Sequence, residues 1–441
     1  MALTDFYIRN YRSVRNAWLR LPRVSVIVGP NGSGKSNLYR AMYLVSSTAN
    51  GQLARAIAEE GGIDSILWSG EYGLQDERKV SLSVKFDELQ YDLKLGRMGD
   101  AGGEYFCGDL QVKSEKIFVF KNGVKSQVLN RGIEFVEARD STGRTTDYTK
   151  RIASNESILT GLREPHKYPQ ISRLRQELLD WRFYHHFRTD QDSPLRKPQH
   201  PVATKILSHD GKDLAPALAT IKQWGDWSGL ERSLDEAFPG AELDILFATT
   251  GLKLALWLPG LDRALEGAEL SDGTLQYLCL LCALYSLEAP PLIVLNEPET
   301  SIHPDLLEPL ARLLVRASEA SQIWVTTHST DLSDYIMDLS GYSPLVLEKV
   351  DAETRVVGVK LGVHPDDQED DEFDDEFENE EIQPAHRTAP RGSGGSKLAT
   401  SAKGTKPTAT ATQANDDDPD AVAAAAKLEA LRKRLGDGTK Q

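Results

Sequence analysis

Eight residues at 29–36, Gly-Pro-Asn-Gly-Ser-Gly-Lys-Ser, have the types and spacing that hold the phosphates of a nucleoside triphosphate. The pattern is G-x-x-x-x-G-K-[ST], with Gly29, Gly34, Lys35 and Ser36 at its defining places. Glycines let backbone N–H groups close around phosphate oxygens, so Asn31, Gly32, Ser33 and Asn37 join them as candidate contacts. A helix starting at the end of the loop adds unpaired N–H groups and the positive end of its dipole. Lys35 would reach the β- and γ-phosphates, and the Ser36 hydroxyl would bind Mg²⁺. ATP and Mg²⁺ are therefore the expected ligands.

The motif has a mechanism only between a strand and a helix, and the flanking sequence supplies both. Residues 24–28 are a short β-branched run, and an apolar helical pattern follows at Leu38, Met42 and Val45. Residues 79–96 alternate apolar and polar, the mark of an antiparallel strand pair, and Asn122-Gly123 is a hairpin turn signal. Residues 143–200 are more helical and mildly basic, with no sustained heptad. An α/β pattern resumes near 205: a helix after 273, a strand at 292–295, a helix at 304–318 opened by Pro304, and a strand at 322–327. A last hairpin is expected at 344–349 and 355–361, turning at 351–354. These elements divide the chain into 1–72, 73–204, 205–362 and 363–441.

The formal charge of −15 is concentrated. Residues 366–381 hold twelve Asp/Glu and no Lys/Arg, which leaves about −3 for the rest, so the chain has no overall basic footprint of a dedicated nucleic-acid binder. Beyond 363 the acidic run gives way to Gly, Ser, Thr, Ala and Lys, a composition expected to be disordered, apart from a short Ala-rich helix at 420–435. Three cysteines are too few for a disulfide framework, and Cys279 and Cys282 sit in a dense apolar helical run where packing thiols are expected. The N-terminus lacks the apolar core of a signal peptide, and the longest apolar stretch, about ten residues from Leu278, is too short to cross a bilayer. A cytoplasmic protein with no membrane role is expected.

Three later motifs narrow the class. Glu269-Leu-Ser-Asp-Gly-Thr directly precedes an apolar helix and resembles the signature motif of ABC-type ATPases. Ser271 and the N–H groups at Gly273 would form an anion site at a helix N-terminus, or Ser271 would simply cap that helix. Leu292-Ile-Val-Leu-Asn-Glu-Pro-Glu-Thr-Ser-Ile-His-Pro resembles a Walker B strand, with Asn296 in place of the usual Asp and Glu297 at the place of the catalytic carboxylate. Thr326-Thr327-His328-Ser329 ends the next strand and resembles the switch histidine motif, in which His328 senses the γ-phosphate. Ile8-Arg-Asn-Tyr-Arg-Ser resembles the opening strand of RecF and SMC ATPases, with Arg12 and Ser13 near the nucleotide. The order and content of these motifs identify an ABC-type ATPase head resembling the RecF, SMC and OLD-like class. No glutamine stands clearly at the Q-loop position, whose approximate place is taken by residues 61–70.

The resemblance implies an α/β fold: a mostly parallel sheet flanked by helices, with an antiparallel-β and helical lid inserted at 73–204. It implies a homodimer or higher oligomer closing around ATP, each nucleotide held by Lys35 and Ser36 of one subunit and Ser271 of another, with Glu297 triggering hydrolysis. Asn296 brings no negative charge to Mg²⁺, so slow turnover is expected. The sequence leaves three functions open: a DNA-repair ATPase, an ATP-gated partner of a defence nuclease or other effector, and a structural oligomer that binds ATP without turnover. For Trp181-Arg-Phe-Tyr-His-His-Phe, packing is expected ahead of base stacking.

Overall fold

The computed structural model describes residues 1–72, 78–149 and 152–357; the acidic run at 366–381 and the expected helix at 420–435 lie outside the described residues. The strands run β1 (Leu3–Tyr11), β2 (Val14–Arg20), β3 (Val24–Val28), β4 (Val80–Phe86), β5 (Leu89–Arg97) and β6 (Leu110–Lys121). They continue through β7 (Val124–Arg131), β8 (Val136–Arg139), β9 (Thr145–Asp147), β10 (Arg182–Tyr184), β11 (Glu242–Ala248), β12 (Gly251–Trp257) and β13 (Leu265–Glu266). The last four are β14 (Leu292–Asn296), β15 (Gln322–Thr327), β16 (Leu345–Val350) and β17 (Glu353–Val356).

The sheet that carries the phosphate loop has the order β10-β14-β15-β3-β16-β17. Its first five strands are parallel, and β17 turns back as an antiparallel edge. β3, β14 and β15 are buried at every residue, the pattern of strands covered on both faces. The expectation of one mostly parallel sheet holding 24–28, 292–295 and 322–327 agrees with this order, and their carboxyl ends lie along one edge.

A second sheet is antiparallel and eight-stranded, in the order β2-β1-β4-β5-β6-β7-β8-β9. Phe6 and Ile8 of β1 lie opposite Val84 and Leu82 of β4, and all four are buried in the core beside Leu38, Met42 and Val45 of the helix α1 (Lys35–Asn50). Alternate residues Tyr7/Ser83 and Asp5/Lys85 fall on the opposite face, so one face of the sheet is apolar and the other polar. The strands expected as an inserted lid therefore continue a sheet that the N-terminus begins, and β10 from the same segment joins the parallel sheet beside β14. Contacts unite Met1–Gly362 as one compact unit, within which the inserted segment packs. Alternation shows that a strand is half-buried but not which strand it pairs with, and the β1–β4 pairing spans some seventy residues.

β11, β12 and β13 form a small third sheet. Trp181, Phe183, Tyr184 and Phe187 are each no more than 3% exposed, so that cluster is core. Cys279 and Cys282 are buried and free, and burial pushes both thiols up. Among the described residues no helix is long and apolar enough to cross a membrane.

Candidate functional site

β3 delivers the chain at Val28 into the loop, and α1 takes it up at Lys35. Gly34 is the N-cap residue, left-handed at φ 105°, and no side chain caps the helix. A helix start without a side-chain cap keeps donors for an anion. A Cβ on Gly34 would stand 2.1 Å from Thr354 Oγ1, so the loop closes only around a residue without one. Ser33 Oγ is buried with no hydrogen-bond partner. A donor left unpaired inside a glycine cradle fits a phosphate ligand.

The loop borders a cleft of about 440 Å³. Asn31, Gly32, Gly34, Lys35, Ser36 and Asn37 line one side, and Arg12, Ser13, Ser65, Ser69, Glu297 and Lys349 complete it. Lys35 is 4% exposed, and its Nζ donates to the carbonyls of Gly29 at 2.7 Å and Pro30 at 3.3 Å. Burial lowers its pKa, while Glu297 and Glu299 act in the opposite direction. Arg12, left-handed at φ 50°, turns its guanidinium onto Glu60 at 2.7 Å. Ser13 accepts from Asn37 Nδ2 at 2.7 Å and shares a hydrogen bond with Thr354 Oγ1 at 2.7 Å.

Glu297 follows the last residue of β14 in a left-handed conformation, φ 50°, fixed by its N–H donating to Thr326 O at 2.7 Å. A non-glycine residue held there is strained, and such strain concentrates at functional sites. Asn296 is 6% exposed, and its Oδ1 accepts from the Thr326 hydroxyl at 2.9 Å. Ser36 lines the cleft, whereas Asn296 is not among its lining residues. No cluster of three His, Cys, Asp or Glu that could hold a metal occurs among the described residues. The Ser36 hydroxyl and neighbouring Glu297 suit a Mg²⁺ held mainly by phosphate oxygens and water.

Other expected site residues lie off the cleft lining. A Cβ on Gly29 would meet Ser33 Oγ at 2.6 Å and Leu347 O of β16 at 2.7 Å, and Ser33 O accepts from Thr354 of β17. Ser271 is exposed and caps the helix Asp272–Leu284, accepting from Thr274 N at 3.1 Å, so capping is its role within this chain. A Cβ on Gly273 would meet Ser301 O at 2.5 Å, which ties this turn to the loop after β14. His328 is half exposed, with Nδ1 3.1 Å from Glu299 Oε1.

Four groups of the site carried no assignment from sequence. Glu299 is buried, and one oxygen accepts from the Thr327 hydroxyl and His328 N while the other has no partner. Its signal was the second carboxylate of Asn-Glu-Pro-Glu. His185 stacks near Tyr39 of α1, ring centroids 5.5 Å apart, at the carboxyl end of β10. Burial, then Arg40 and His186, lower its pKa, and Glu297 raises it. Arg196 gathers the turn before Ser271, donating to Leu270 O at 2.7 Å and Ala268 O at 3.2 Å and pairing with Asp272 at 2.7 Å. Thr354 closes onto the phosphate loop by donating to Ser33 O at 2.8 Å. No local sequence signal marks either of the last two.

A family model described as "AAA domain, putative AbiEii toxin, Type IV TA system" matches residues 24–334. No curated protein sequence matches. Among solved structures, the chain is similar to an SMC head bound to the C-winged helix domain of ScpA, at 12% identity and TM-score 0.47, covering 82% of this chain and 99% of that one. It is similar to the SMC head domain from Thermotoga maritima at 17% identity and TM-score 0.40, covering 82% and 100%. It is also similar to an Smc head with an extended coiled coil bound to the C-terminal domain of ScpA, derived from Pyrococcus furiosus, at 12% and 0.45, covering 86% and 100%. The family match runs from β3 past His328, more than half of the sequence, and takes in every motif of the cleft except the N-terminal strand. The chain therefore belongs to this AAA-domain family.

Proposed function

We propose that this protein binds and slowly hydrolyses ATP, and that ATP closes two copies around shared sites to switch a partner effector. The observation that carries this is Glu297: a carboxylate in a strained turn that shares one cleft with Lys35 and Ser36. Backbone N–H groups of the loop and Lys35 bind the phosphate chain. Bound Mg²⁺ would neutralise charge on the β- and γ-oxygens. Glu297 orients a water for in-line attack and accepts its proton. His328, Glu299 and Thr327 form a hydrogen-bonded unit at the end of β15, suited to sensing whether the γ-phosphate is present.

Ser271 supports the two-copy reading. It belongs to the signature-like motif yet is exposed and absent from the lining of its own chain's cleft. A second copy would bring it to the phosphates. Asn296 supports slow turnover, since a neutral amide whose oxygen is engaged by Thr326 adds no charge beside the metal. The family description names a toxin of a toxin–antitoxin system, which favours a defence role with a partner effector over DNA repair. The test is steady-state phosphate release with Mg²⁺ for wild type, Lys35→Ala and Glu297→Gln. Turnover in the wild type that both variants abolish supports the reading. Wild-type turnover no higher than Lys35→Ala favours the alternative reading, an ATP-gated oligomer without hydrolysis.

A further inference from the structure

The cleft holds three cations, and two of them are already engaged. Arg12 is paired with Glu60, and Lys35 Nζ rests on the carbonyls of Gly29 and Pro30. Lys349 lines the same cleft, is exposed to solvent, and has no hydrogen-bond or ion-pair partner among the described residues. Its backbone is fixed. Val346 of β16 pairs in parallel with Val28, so β16 runs on beside the phosphate loop after β3 has ended. Lys349 lies opposite Thr354 in the β16–β17 ladder, and Thr354 is itself bonded through its N–H to Ser13 O at 2.7 Å and through its hydroxyl to Ser33 O at 2.8 Å. The hairpin that presents Lys349 is therefore fastened to both sides of the cleft.

We propose that Lys349 is a nucleotide-binding residue that contacts the phosphate chain of bound ATP or ADP from the β16 side. This rests on the reading of the cleft as an ATP site and adds a contact that its sequence motifs do not contain. An unpaired ammonium on a flexible stem acts as a point charge for phosphate. It also offsets Glu297, whose carboxylate otherwise repels the γ-phosphate.

The test is calorimetric binding of ATP, ADP and AMP, with Mg²⁺, to the full chain carrying Lys349→Ala, Lys349→Arg or Lys35→Ala. Lys349→Ala is expected to weaken ATP and ADP by about 5- to 10-fold and AMP by about 2-fold or less, a graded loss that follows phosphate charge. Lys349→Arg restores most of the affinity, which a purely structural role for the lysine stem would not produce. In turnover, KM for ATP rises by about the same factor while kcat changes by less than about 2-fold. Wild-type affinity in Lys349→Ala, alongside lost binding in Lys35→Ala, overturns the assignment of Lys349 alone. No ATP binding by the wild-type chain overturns the reading of the cleft and this assignment with it.

Discussion

Replacing Thr354 by valine removes one hydroxyl and keeps the side chain's shape. That hydroxyl has a single proton, which it gives to Ser33 O at 2.8 Å. The 2.7 Å contact with Ser13 must then run from the Ser13 hydroxyl to Thr354, and Ser13 in turn accepts from Asn37 Nδ2. A directed chain thus links Asn37, Ser13, Thr354 and the Ser33 carbonyl, joining the phosphate loop at Ser33 and the first turn of α1 to β17. Valine leaves the Ser33 carbonyl and the Ser13 hydroxyl without their partner. Thr354 is 1% exposed, so the carbonyl is stranded in a dry place, at about 1–3 kcal/mol. Ser13 borders the cleft, where water can replace the lost contact, so its share is about 0.5 kcal/mol or less. A total near 2 kcal/mol is expected in urea unfolding. If about 1.4 kcal/mol of it falls on the loop's binding conformation, ATP affinity drops about tenfold. Thr354→Ser keeps the hydroxyl and is expected to bind ATP within about 2-fold of wild type. Valine and wild-type proteins binding ATP equally well would refute the clamp.

Three further outcomes follow from the same geometry. Gly34→Ala places a Cβ 2.1 Å from Thr354 Oγ1 at φ 105°, so it is expected to abolish ATP binding, checked by calorimetry. Arg196→Ala releases the turn before Ser271 and is expected to lower kcat by about tenfold or more while single-chain ATP affinity stays within about 2-fold; Arg196→Lys should not rescue, because one ammonium cannot span several carbonyls and Asp272. In thiol titration of the native chain only Cys107 is expected to react, with Cys279 and Cys282 appearing on denaturation.

The residues that carry chemistry were legible because their motifs are local. The phosphate loop, Asn296-Glu297 and Thr-His-Ser each end a strand, and a parallel sheet brings strand ends to one edge whatever lies between them. Thr354 and Lys349 were not legible, because their meaning depends on β16 pairing with β3, more than three hundred residues earlier. The hairpin itself was expected at 344–349 and 355–361; it turns at Asp351-Ala352, both left-handed, so β17 starts earlier, at Glu353. The pairing of the inserted strands with the N-terminal strand was not legible for the same reason. The alternation at 79–96 marks a half-buried pair, and only the fold shows that β1 is its neighbour. Arg196 acts almost wholly through backbone carbonyls, which leave no trace in residue types.

The central claim is that the cleft is half of a site that a second copy completes. Glu297→Gln should bind ATP and stall before hydrolysis, so its molar mass by light scattering tests the claim directly. The account predicts the mass of two chains with ATP and Mg²⁺ and of one chain without them. A single-chain mass at saturating ATP, with ATP shown to be bound, would contradict it.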